Sequence, residues 1–132
     1  MAEEGLSPSV SQFIAQYVRS VEQLEILLLL GRNPEKDFGV RDVYNVIMST
    51  KESVHGWLEE MVSKRLVVQS AGAPATYRFA PADAALIEPV QALATSYKAY
   101  PVRVIESIYR PRQQPQVDPA QGFADAFRIR KN

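Results

Sequence analysis

The chain has 132 residues, 46% of them apolar, with no cysteine and with 15 basic side chains against 15 acidic ones. That length and apolar content suit one globular domain able to bury roughly two-thirds of its unfolded surface. The lack of thiols excludes disulfides, a thiolate metal site and a thiol nucleophile. The longest apolar run, residues 26–30, falls far short of the ~20 residues of a membrane span. The opening Met-Ala-Glu-Glu-Gly lacks the basic start of a signal peptide. A cytoplasmic protein with no membrane partner is therefore expected.

Residues 1–8 read as a disordered lead-in, acidic and small. Ser7 as N-cap and Pro8 as the first helical residue open a helix whose stripe is Val10, Phe13, Ile14, Tyr17 and Val18. That helix either covers the core or joins a subunit interface. Ser20 to Gln23 has capping-box form and starts a near-continuously apolar helix through residue 30. Gly31 is its expected C-cap, and Pro34 prevents its resumption. Phe38 is expected to pin the following polar loop as a minimal strand against a later hairpin.

A second helical pattern spans residues 40–48, with Val43, Tyr44 and Ile47 on one side. Ser49 and Thr50 offer an N-cap for a third. In that third helix Val54, Trp57, Leu58, Met61 and Val62 form one stripe. Residues 66–70 and 76–80 are short runs of β-formers around a turn containing Gly72 and Pro74. Beyond Asp83, a possible N-cap, Leu86, Val90, Leu93, Tyr97, Tyr100, Val104 and Ile108 repeat at steps of three and four, close to a heptad seam. The seam is expected to meet a second copy or another partner. Pro101 should split its helix into about 83–98 and 101–110. Residues 111–132 form a Pro-rich linker and a basic, aromatic tail, in which Phe123 and Phe127 share a helix face for docking.

The expected fold is mainly α. It is a winged helix, a three-helix core plus a two-stranded β-wing, with an extra N-terminal helix and a long C-terminal helix. The organisation is 1–8 lead-in, 9–81 winged helix-turn-helix domain, 82–110 oligomerisation helices and 111–132 linker and tail. The run Ser53-Val-His-Gly-Trp-Leu-Glu-Glu-Met-Val-Ser-Lys-Arg-Leu-Val-Val68 resembles the recognition-helix-to-wing segment of MarR-like and PadR-like bacterial regulators. As a fold pattern the resemblance covers residues 20–80. Arg65 stands where such proteins often have Gly.

The resemblance implies a DNA-binding transcriptional regulator acting as a homodimer, its two recognition helices in successive major grooves. Ser53 and His55 face outward as base-contact candidates, and Lys51 as a phosphate or guanine contact. Thr50, Arg41, Lys64 and Arg78 are candidate backbone contacts. The charge distribution favours another partner. Residues 1–97 hold eight basic and twelve acidic side chains, residues 98–132 seven and three. Glu52, Glu59 and Glu60 lie on the recognition helix, and the wing tip carries no charge. DNA readers are usually basic, so the alternative is a winged helix that contacts a protein. An enzyme is not expected. His55 is the single histidine, His55 and Glu59 make at most a surface pair, and there is no phosphate loop or triad motif. No cofactor or metal is expected.

Overall fold

The computed structural model describes residues 6–109. Residues 1–5 and 110–132, and with them the expectation for Phe123 and Phe127, lie outside the described residues. The chain runs α1 (Pro8–Tyr17), α2 (Val21–Arg32), β1 (Phe38–Gly39), α3 (Val40–Ile47), α4 (Lys51–Ser63), β2 (Val67–Gln69), β3 (Thr76–Phe79), a 3₁₀ turn (Ala84–Leu86), α5 (Ile87–Ala99) and α6 (Pro101–Tyr109). The fold is mainly helical with a small antiparallel sheet, a winged-helix arrangement. The wing gains a third strand, because Phe38 pairs with Tyr77 and Gly39 with Thr76, giving the order β1-β3-β2.

Local signals explain the helix starts. Ser7 Oγ accepts from Val10 N, with Pro8 at the first helical position, where its missing N–H costs nothing. Ser20 Oγ accepts from Gln23 N at 3.0 Å. Gln23 does not complete the expected capping box. It is fully buried, and its amide bridges Arg19 N and Tyr17 O at 2.6 and 2.8 Å, clamping the α1–α2 connection. Gly31 is not the C-cap either, since α2 continues to Arg32 with Asn33 as cap. A Cβ on Gly31 would lie 3.3 Å from Val90 Cγ1, so glycine here lets α5 approach α2.

The core draws on every helix and strand. Val10, Phe13 and Ile14 of α1 join Leu24, Ile26, Leu27, Leu28 and Leu30 of α2, with Val43, Val54, Leu58 and Met61 from α3 and α4. From β3, Tyr77 and Phe79 point inward and Arg78 outward, as strand alternation requires.

The C-terminal repeat takes a place that the sequence reading did not foresee. Pro101 cannot donate an amide and excludes helical backbone at Tyr100, which sits at φ −137°, ψ 63° between α5 and α6. The break lets α6 turn back, so that α5 packs on α1 and α2 and α6 on α1 and α5. Val90, Leu93, Val104 and Ile108 are thereby buried within a single chain. These four residues are thus covered without a second copy. Leu86 and Tyr97 are half-buried, the latter with its hydroxyl donating to Glu25 Oε2 at 2.9 Å, and Tyr100 is exposed. Burying side chains of this size is worth about 1.5–3 kcal/mol each, which is reason enough for the pattern.

Arg65 follows α4 with φ 65°, the left-handed conformation that glycine adopts without steric cost. The position is the one where a glycine is common in the regulators the sequence resembles. Its amide donates to Val62 O at 2.9 Å and Leu66 N to Met61 O at 3.0 Å, closing the helix end directly onto β2.

Candidate nucleic-acid interface

The α3–α4 pair is joined by three residues. Met48 has φ 65° and donates its amide to Tyr44 O at 2.7 Å, which stops α3. Ser49, one of the two expected caps, turns instead to α2 and donates to Glu22 Oε2 at 2.6 Å. Thr50 alone caps α4, its Oγ1 accepting from Ser53 N at 3.0 Å. The turn is therefore fixed to the core on one side and to the start of α4 on the other.

Val54, Leu58 and Met61 anchor α4 inward, and Trp57 is half-buried beneath the Arg19 guanidinium, 5.9 Å from its ring centroid. Lys51, Glu52, His55 and Gly56 face outward, with Ser53 half-buried between them. Lys51 Nζ rests 5.5 Å over the Tyr44 ring. Arg41 is exposed at the start of α3, and Arg78 lies on the outer face of β3, 3.6 Å from Asp37. Exposed pairs of this kind are worth about 0–1 kcal/mol, so Arg78 can exchange Asp37 for a phosphate at little cost. Thr50, Lys51, Ser53 and His55 are thus gathered at one end of α4. Lys64 is not, because thirteen residues at 1.5 Å each put it about 20 Å away along the axis. Its Nζ lies 3.8 Å from Glu60.

Two of the three carboxylates that weigh against an anionic partner are held by the chain itself. Glu60 receives both an Arg19 bond pair, at 3.0 and 3.1 Å, and the Lys64 contact. Glu59 accepts from the Tyr77 hydroxyl at 2.8 Å and has His55 Nε2 at 3.4 Å. Glu52 is the remaining one. Arg19 lies forty-one residues before Glu60, and no periodicity in the sequence points to that pairing. A Cβ on Gly56 would meet nothing within 4 Å among the described residues.

The Tyr77–Glu59 bond ties the wing to α4. Burial, then the hydrogen bond and the negative charge of Glu59, push the Tyr77 phenol up to about 12 from 10.0. Below pH 10 the phenol is neutral in both folded and unfolded chains, and its contribution to stability is complete. Between about pH 10 and 12 the unfolded phenol ionises while the folded one holds its proton, so that contribution is lost. Thermal unfolding of wild type and Tyr77→Phe is expected to show a gap in midpoint that closes across this window. A gap constant from pH 9 to 12 contradicts the assignment.

Among the described residues, no group of three or more His, Cys, Asp or Glu side chains could hold a metal ion, and no helix is long and apolar enough to cross a membrane.

No model of a known protein family matches the chain, and no curated protein matches it in sequence. Two solved structures are similar to it. RV1404 from Mycobacterium tuberculosis superimposes with a TM-score of 0.51 at 11% identity, over 89% of this chain and 81% of that one. BpsR from Bordetella bronchiseptica, whose DNA binding is regulated by 6-hydroxynicotinic acid, gives a TM-score of 0.46 at 16% identity, over 92% of this chain and 83% of that one. At such identities the likeness is one of fold.

Proposed function

We propose that the chain is a DNA-binding transcriptional regulator that presents α4 to the major groove of duplex DNA. The observation that carries the reading is the division of α4. Its N-terminal half offers Lys51, Ser53, His55 and the bare backbone at Gly56, while further along Glu60 is paired with Arg19 and Lys64 and Glu59 accepts from the Tyr77 hydroxyl. A duplex approaching the first two turns meets one carboxylate, Glu52, because Glu59 and Glu60 stand in the third turn. Arg41 and Arg78 flank the helix as phosphate contacts, and Thr50 keeps its capping role. The regulator acts as a homodimer in the cytoplasm. Outward residues at and beyond the α5–α6 break, Tyr100, Val102 and Tyr109, join the copies and set the two α4 helices about one turn of DNA apart.

A second reading, a protein-interaction module, draws on the helix-turn-helix turn itself, where Val46 is 59% and Met48 70% exposed, and on the uncharged wing tip. Salt dependence separates the two. Binding of duplex DNA, followed by fluorescence anisotropy, is expected to weaken steeply as salt rises. Lys51→Ala and Arg78→Ala should each weaken it and lower the slope of log affinity against log salt by about one. Binding untouched by both substitutions overturns the site, and no duplex binding at low salt overturns the reading.

A further inference from the structure

A groove on the far side of α3 takes no part in the interface described above. Three adjoining hollows of about 320, 200 and 390 Å³ run between α2, the end of α3 and α5. Arg32 lines all three, and Leu28, Ala94 and Tyr97 each line two. Ile47 closes one end and Pro101 the other. Its walls are largely apolar. Its rim carries two cations, Arg32 and Lys98, neither of which has an ion-pair partner among the described residues. The acidic lining side chain, Glu25, is engaged by the Tyr97 hydroxyl.

We propose that this groove receives the chain's own segment 123–127, Phe-Ala-Asp-Ala-Phe. The reach is ample. The first residue of α6, Pro101, stands on the groove, and the described chain ends at Tyr109, one helix length or about 13 Å further on. Residues 110–122 can extend about 43 Å, several times what a return requires. The chemistry matches. Phe123 and Phe127, four apart in sequence, supply two aromatic anchors for the apolar walls. A tether of this length places the segment at an effective concentration of the order of millimolar, so even weak docking fills the groove. Because Ile47 is the last residue of α3, an occupied groove bears directly on the helix-turn-helix turn. The inference does not depend on DNA binding.

The chain has no cysteine, so a Gln121→Cys variant of the full-length protein carries a single nitroxide label beside the segment. Amide resonances of Arg32, Ala94 and Thr95 are expected to lose intensity severalfold against the reduced sample, with no comparable loss at Ser70 and Thr76 on the wing tip. Adding Phe123→Ala and Phe127→Ala, which leaves the described core intact, should restore them. Groove resonances untouched by the label, or still broadened in the double alanine variant, overturn the proposal. Broadening seen only when labelled and isotopically enriched copies are mixed overturns same-chain docking and gives the groove to a second copy.

Discussion

Leu93→Ala is expected to lower the unfolding free energy by about 2–5 kcal/mol, the range for removing a fully buried leucine, and by the same amount at every protein concentration. Leu93 is completely enclosed within one chain, where α5 crosses α1 and α2. Since domains of this size are stable by only about 5–15 kcal/mol, the loss is a large share of the total. Had the heptad-like repeat been a seam between copies, the cost would enter through association, and the shift in midpoint would grow on dilution. Urea titrations over a hundredfold range of concentration decide between these. A Leu93→Ala penalty that changes with concentration contradicts the single-chain core.

Gly56→Ala should move stability and binding in opposite directions. An exposed glycine inside a helix costs about 1 kcal/mol relative to alanine, and an added Cβ at Gly56 meets nothing within 4 Å among the described residues. The variant should therefore melt about 4–8 °C higher, the shift that 1 kcal/mol produces in a domain near 100 residues. Nothing among the described residues explains why a helix former is missing there. A partner whose backbone comes close to the outer face of α4 does explain it, and the added methyl group then obstructs that partner. DNA affinity should fall while the melting temperature rises. A variant that is more stable and binds duplex as well as wild type removes Gly56 from the contact surface.

Much of the fold was legible because its signals are local. Ser7, Ser20, Thr50 and Asp83 each cap the turn they precede, and Pro101 breaks the last helix by a constraint confined to two residues. The pairing of Phe38 with the wing followed from one aromatic at a loop end. What the sequence hid is tertiary. A three- and four-residue apolar repeat has the same form whether the helix packs on its own chain or on a copy, so the direction of α6 after Tyr100 decided what Leu93 and Val104 cover. Gly31 has the composition of a helix stop, yet serves a close approach of Val90 that only the packed structure shows. In the candidate interface the outward residues of α4 could be read from helical spacing. Their electrostatics could not, because Arg19, which pairs with Glu60, and Tyr77, which donates to Glu59, come from elsewhere in the chain.

The central claim is that the first two turns of α4 meet duplex DNA. Its most direct test is an amide chemical-shift map of the full-length protein titrated with mixed-sequence duplex DNA at low salt. Shifts are expected to concentrate on Lys51, Ser53, His55 and Gly56, with Arg41 and Arg78 at the margins and little change at Lys64. Shifts centred on Val46 and Met48 without the start of α4, or no saturable shifts at all, would contradict it.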